Sequence, residues 1–161
     1  VIDLVVQVTA ILAEGEIGPS KVTFAPLEII MPGKITPISV RFTTSNKIWG
    51  AAGNVLNAED GTTLSNRFVV LNSTITDAQQ SAAKKHAVTA EIHNTSKEYV
   101  GSIDILISAY NTSNQILSYR IIEHELTMGP GEKSDVDTTF TTTLEQHSHY
   151  SVYAHGRLIS Q

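Results

Sequence analysis

The stretch HAVTAEIHNTSKEYVGSIDILISAY, residues 86–110, decides the fold class of this 161-residue chain. Apolar residues hold alternate positions in both of its halves: Val88, Ala90 and Ile92, then Ile103, Ile105, Ile107 and Ala109. A period of two is typical of a β-strand that buries one face. The Asn, Thr and Ser residues between the halves favour a turn. The stretch therefore predicts two strands at the start of an antiparallel meander.

Similar alternation continues on both sides of this stretch. Further strands are predicted at residues 1–13, 21–30, 35–42, 67–76, 115–128, 135–146 and 149–160. One short helix is predicted over residues 77–85, with Asp77 as its N-cap. About eight to ten short strands at hairpin spacing predict an all-β fold, an immunoglobulin-like β-sandwich.

The N-terminal strand VIDLVVQVTAILA, residues 1–13, has the cleanest alternation in the chain. Its apolar register consists of Ile2, Leu4, Val6, Val8, Ala10 and Leu12. The linker AEGEIGPS follows it. Such a strand either pairs within its own domain or completes the sheet of a neighbouring subunit by β-augmentation. We expect the second arrangement, with residues 1–13 as a donor strand exchanged between subunits and residues 14–161 as a single β-sandwich domain.

The composition excludes several classes of partner. The net charge is −5 at pH 7, which disfavours nucleic acid and anionic membranes because both would repel the chain. The chain contains no cysteine, so disulfides and thiolate chemistry are excluded. No segment offers the roughly 20 apolar residues of a membrane-spanning helix. The sequence begins with Val1 instead of Met, and we expect an exported protein, extracellular or at the cell surface, with its signal peptide removed.

The sequence contains none of the common catalytic motifs. The G-x-S-x-G elbow, the P-loop, the G-x-G-x-x-G loop and the H-E-x-x-H helix are all missing. We therefore expect no enzymatic activity and no cofactor.

Two weak candidates for metal binding remain in the sequence. His147 and His149 are two positions apart on a predicted strand, so both imidazoles would lie on one face and could share a metal ion. The favoured alternative is a solvent-exposed polar face that also includes His155. We expect no metal there.

A loop in the middle of the chain, NAEDGTT, contains three residues with oxygen ligands. Asn57, Glu59 and Asp60 could coordinate calcium in a flexible loop. An ordinary acidic turn is the favoured alternative.

Three N-glycosylation sequons begin at Asn72, Asn94 and Asn111. Asn94 and Asn111 open predicted turns, which is a suitable position for a glycan. The alternative is that these residues stabilise the turns through Asx hydrogen bonds.

The second half of the chain resembles a known class of domain. The runs VTAEIHNTSKEYVGSIDILISAYNTSNQIL and LTMGPGEKSDV resemble prokaryotic immunoglobulin-like extracellular modules of the FxLYD and CARDB type. The architecture, with its N-terminal strand, is similar to donor-strand-complemented fibre subunits, such as archaeal pilus or thread subunits and chaperone–usher pilins. This resemblance implies a structural subunit of a pilus-like extracellular filament, a homopolymer assembled head to tail from identical subunits. The alternative is a cell-surface adaptor that binds an envelope or surface-layer protein.

Overall fold

The computed structural model describes residues 1–80, 85–141 and 147–159. Its strands are β1 (Ile2–Ile11), β2 (Ile17–Phe24), β3 (Gly50–Glu59), β4 (Phe68–Gln80), β5 (Lys85–His93), β6 (Val100–Tyr110), β7 (Ile116–His124), β8 (Lys133–Thr141) and β9 (His149–Leu158). The described helical elements are a 3-10 turn, Ala13–Gly15, and the one-turn helix α1, Thr62–Ser65. The predicted all-β fold is confirmed. The chain forms two compact units, Val1–Ser65 and Asn66–Gln161.

The first unit, Val1–Ser65, is built on an antiparallel sheet with the strand order β2-β1-β3. Val6 at the centre of β1 faces Thr23 of β2 on one side and Val55 of β3 on the other. The apolar register of β1 faces inward: Val6, Ala10 and Leu12 are buried, and Ile2, Leu4 and Val8 are half-buried. Leu27 and Ile29, which follow β2, are buried in the same unit.

The structure divides the chain at a different place from the predicted boundary at residue 13. β1 is hydrogen-bonded on both sides within its own unit, so residues 1–13 are not set apart from residues 14–65. The linker AEGEIGPS forms a tight connection, in which Leu12 N donates to Glu16 O at 2.9 Å, and then enters β2. Exchange of β1 between subunits stays a prediction.

The predicted return strand at residues 35–42 is wrong, because this part of the chain joins no sheet. From Ile38 onwards its side chains nevertheless alternate: Ile38, Val40 and Phe42 are half-buried, whereas Ser39 and Arg41 are exposed. This is the periodicity of an extended chain. We call residues 35–44 the unpaired segment.

The second unit, Asn66–Gln161, contains a sheet with the strand order β7-β6-β9-β4-β5-β8. The long strand β4 pairs with β9 through residues 68–71 and with β5 through residues 72–80. β7 and β8 lie at opposite ends of this order and yet contact each other. The sheet is therefore folded over on itself into two layers, which is consistent with a β-sandwich.

One core fills the space inside the second unit. Its buried members are Leu71, Val88, Ala90, Ile92, Val100, Ile103, Ile105, Ile107, Ala109, Met128, Val136 and Ala154. These core residues include all the apolar residues of β5 and β6 that were predicted to face inward. The predicted meander is correct for β6 and β7, which pair directly, but wrong for β5 and β6, which do not. These two strands bury their apolar faces in the same core instead of joining edge to edge.

The predicted helix at residues 77–85 is wrong where the structure describes it. Residues 77–80 continue β4, with Asp77 opposite Thr89 and Gln80 opposite His86. Residues 81–84 lie outside the described residues. The capping and charge signals of this segment are local, and the pairing with β5 overrides them.

Candidate assembly site

The open edge of the sheet in the first unit is its most distinctive feature. Both β2 and β3 are edge strands, because each of them pairs with β1 alone among the described strands. Edge strands are commonly protected against further pairing by charged residues or proline. β2 has both, Pro19 and Lys21, whereas β3 has no proline and no charge before Glu59 at its end. β3 is therefore the unprotected edge.

β3 is also uncovered on both faces. Every residue from Ala51 to Glu59 is exposed. Val55 is 58% exposed and Leu56 is 50% exposed, and as neighbours on a strand they point to opposite faces. An exposed edge of this kind, with no charge before its last residue, is a template for another strand.

Further apolar side chains are exposed around this sheet. The large hydrophobic residues of the first unit that are exposed are Val1, Ile17, Val22, Phe24, Ile35, Ile48, Trp49, Val55 and Leu56. Single exposed apolar residues are ordinary, but many on one small unit indicate an interaction surface. Trp49, the residue before β3, donates a hydrogen bond from its backbone N to Ile11 O at 2.8 Å, while Lys47 Nζ lies 4.9 Å from its ring centroid.

The unpaired segment offers a second set of unused backbone groups. Among the described residues, no backbone–backbone hydrogen bond involves residues 35–48. Pro37 is buried and contributes no N–H, which weakens any strand that the segment could form by itself. The first unit thus contains both an open strand edge and an extended segment without a strand partner.

Two of the three candidate calcium ligands, Asn57 and Asp60, form hydrogen bonds in the structure, and the third, Glu59, is exposed at the end of β3. Asn57 Nδ2 donates to Asp3 O at 3.1 Å. Asp60 forms an Asx turn just before the helix α1, because its Oδ1 accepts a bond from Thr62 N at 2.9 Å and another from the Thr62 hydroxyl. These bonds, the hydroxyl bond first, lower the pKa of Asp60. Asp60 thus has the role expected in an ordinary acidic turn.

The structure does not bring His147 and His149 to one common partner. The ring of His147 lies 4.9 Å from the ring of His86, whereas His149 stacks on Tyr110 with centroids 4.9 Å apart. Sequence reasoning did not single out His86, although its register with Val88 and Ala90 marks it as inward-facing. His86 has no exposed surface and shares a hydrogen bond through Nδ1 with the Tyr150 hydroxyl. Burial, and secondarily the nearby His147, lower the pKa of His86.

The prediction that His155 faces solvent is wrong, since this side chain is fully buried. The rings of Phe68 and Tyr153 each lie with their centroid 5.6 Å from the His155 ring and cover it. Asp104 Oδ2 is 3.4 Å from His155 Nε2. Burial raises the pKa of Tyr153 to about 12. His155 and the rings of Phe68 and Tyr153 therefore form a packed cluster and not an exposed polar face.

The three sequons occupy different environments. Asn94 is fully buried, and its Nδ2 donates to the carbonyls of Glu98, Met128 and Gly129 at 2.9–3.1 Å. A glycan on this nitrogen would remove those bonds, so Asn94 fits the Asx-turn interpretation. Asn111 is half-buried and its Oδ1 accepts from the backbone N of Ser113 and of Gln115, whereas Asn72 is exposed on β4.

Comparison with models of protein families, with curated proteins and with solved structures finds no match for the chain. Within the described ranges, no three His, Cys, Asp or Glu side chains come together in a group that could hold a metal ion. The same residues include no helix with the length and hydropathy needed to cross a bilayer. The resemblance to prokaryotic immunoglobulin-like modules stays an expectation from the sequence.

Proposed function

We propose that the chain is a structural subunit of an extracellular filament, in which copies associate head to tail by adding a strand to the first unit. The observation that carries this proposal is the exposed edge strand β3, which has no charge before Glu59 at its end. Strand addition uses main-chain hydrogen bonds for affinity and side chains on alternate positions for specificity. A contact between two different surfaces of identical subunits does not close, and its repetition gives a filament. The extracellular location rests on the resemblance of the sequence to extracellular modules.

The exposed apolar residues of the first unit favour association of the chain with other copies over a monomeric state. A sheet must cover its apolar surface with another layer or another molecule. Trp49, Val55 and Leu56 remain exposed around β3. Covering such side chains contributes roughly 1.5–3 kcal/mol each before the costs of ordering and association.

The pairing of β1 favours a form of assembly in which β1 stays in its own subunit. Thr9 lies opposite Ser20 of β2, with their side-chain oxygens 2.7 Å apart. Removing β1 from this place would break pairing with both β2 and β3. A subunit that keeps β1 needs another strand to reach its neighbour.

Electron microscopy of the purified chain tests the proposed function. We expect filaments whose length increases with protein concentration. A monodisperse particle of the mass of one chain, at all concentrations tested, would contradict the proposal and favour a surface adaptor that binds a different protein.

The exchange of β1 has its own test, because the chain contains no cysteine. Thr9→Cys and Ser20→Cys are made in separate chains of different size, mixed, assembled and oxidised. Positions 9 and 20 face each other wherever β1 pairs with β2, which is a suitable geometry for a disulfide. A disulfide between two chains therefore forms only if β1 of one chain pairs with β2 of the other. We expect no mixed disulfide, while a chain with both substitutions forms the bond internally. A mixed dimer would show that β1 is the exchanged strand.

A further inference from the structure

We infer that the unpaired segment, residues 35–44, of one copy adds to β3 of the next copy as an antiparallel strand. This inference rests on the proposed function and names the two surfaces that would meet. It follows from three independent properties of the first unit: the unused backbone groups, the side-chain register and the distribution of charge.

The backbone groups of the two elements match in number and availability. β3 is ten residues long and has one free edge. The unpaired segment spans the same number of residues, and among the described residues none of its backbone groups bonds to another backbone group. Pairing the two elements would supply partners to both.

The register of the segment decides which residues face the partner. Residues two apart on a strand direct their N–H groups to the same side. Pro37 has no N–H, so it belongs on the side that faces away from β3. The alternate residues, among them Ile38, Val40 and Phe42, then direct their N–H groups towards β3. These side chains are half-buried in their own subunit, which holds the segment in place before the partner arrives.

The two elements carry opposite charges, and the existing sheet favours one direction of pairing. The segment is basic, since Arg41 lies within it and Lys34 precedes it, and the sequence has no acidic residue between Glu28 and Glu59. The only charged residue of β3 is Glu59, at its C-terminal end, and Asp60 follows directly. β1 pairs antiparallel with both β2 and β3, and antiparallel ladders are slightly more stable per residue than parallel ones. An antiparallel arrangement of the segment on β3 therefore continues the existing sheet.

Cysteine pairing tests the inference directly. Ser39 and Val55 are exposed near the middle of the two elements and become neighbours in the antiparallel arrangement. Ser39→Cys and Val55→Cys are made in separate chains of different size, then mixed, assembled and oxidised. We expect the mixed dimer to exceed either self-dimer at least fivefold. Thr112→Cys, in an exposed turn of the second unit, is the matched control and should not join Ser39→Cys.

Each other outcome overturns the inference in a recognisable way. Self-dimers of Val55→Cys would mean that two β3 edges pair symmetrically. An internal disulfide in the double variant, Ser39→Cys with Val55→Cys, would mean that the segment folds onto β3 of its own chain. Filaments without the mixed disulfide would leave the proposed function standing and reject this pair of surfaces. A sample that neither crosslinks nor forms filaments would contradict both.

Discussion

The two compact units of the chain bury their apolar side chains to very different extents. In the first unit, Val1–Ser65, the buried hydrophobic residues are Val6, Ala10, Leu12, Leu27 and Ile29, and the large exposed ones outnumber them. In the second unit, all described residues of the inward registers of β5 and β6 are at most 1% exposed. The difference is architectural: a sheet folded over on itself covers its own apolar face, and a three-stranded sheet does not. This difference is the basis of the proposal that copies associate through the first unit.

The sharpest way to test this difference is to truncate the same residue type in each unit. Ile105 is fully buried in the core of the second unit, and Ile35 is 70% exposed in the first. We expect Ile105→Ala to reduce the free energy of unfolding by about 2–5 kcal/mol, through lost burial and a cavity. Ile35→Ala should change it by less than about 0.5 kcal/mol. Denaturant unfolding of the monomeric chain measures both, and equal losses would contradict the comparison.

A glycine pair gives a second, smaller contrast. A Cβ at Gly156 of β9 would lie 2.3 Å from Val100 Cγ1 and 3.0 Å from Ile103 Cγ1. We expect Gly156→Ala to cost about 1–3 kcal/mol, because the packed core must shift. At Gly50 of β3 the nearest atom to such a Cβ is 3.9 Å away, so Gly50→Ala is the control. If thermal unfolding shows both alanine variants to be equally stable, the second unit is more loosely packed than the structure indicates.

The buried His86 predicts a pH dependence that belongs to the second unit. Its pKa is lowered in the folded chain by burial and by His147, so the unfolded chain binds its proton more readily. The stability contributed by this group is therefore present above the ordinary histidine pKa of about 6.5 and is lost as pH falls towards the lowered value. His86→Gln should flatten this part of the profile. Urea midpoints between pH 8 and pH 5 measure the effect. Parallel profiles for His86→Gln and the unchanged chain would contradict it.

The smallest expected effect on stability is at the open edge. Val55→Lys adds a charge to β3, the device with which edge strands resist pairing. We expect the free energy of unfolding to change by less than about 0.5 kcal/mol, as for other exposed positions. The concentration needed for assembly should rise at least tenfold. Thr112→Lys, in an exposed turn of the second unit, adds the same charge and should leave assembly unchanged. Sedimentation velocity measures the assembly of both variants. If the two variants assemble equally poorly, the effect of Val55→Lys is due to the change in net charge and not to its position on β3.

Much of the fold could be predicted from the sequence, because alternation is a local signal. The strands at residues 86–93 and 100–110 are found where the pattern places them. Their partners could not be predicted, since β5 and β6 join different neighbours. The choice depends on β4, which changes partner after Leu71. Asn94 lies in the connection between β5 and β6, and only the structure shows that its side chain donates hydrogen bonds to three carbonyls.

Most of the candidate assembly site could not be predicted from the sequence. β3 contains Gly, Ala and Asn residues of low β-propensity, and pairing with β1 makes it a strand. The unpaired segment shows the reverse case, a strand-like pattern that finds no partner within the sheet. Periodicity predicts which residues can form a strand, but long-range pairing decides which of them do.

Hydrogen–deuterium exchange of free and assembled chains, followed by mass spectrometry, tests most directly whether β3 and the unpaired segment form hydrogen bonds on assembly. Backbone groups without a partner exchange rapidly and become protected when they form hydrogen bonds. We expect assembly to slow exchange at residues 35–44 and 50–59, and β5 and β6 to keep the protection that they already have in the free chain. Protection gained in the second unit, with no change at β3 and the unpaired segment, would contradict it.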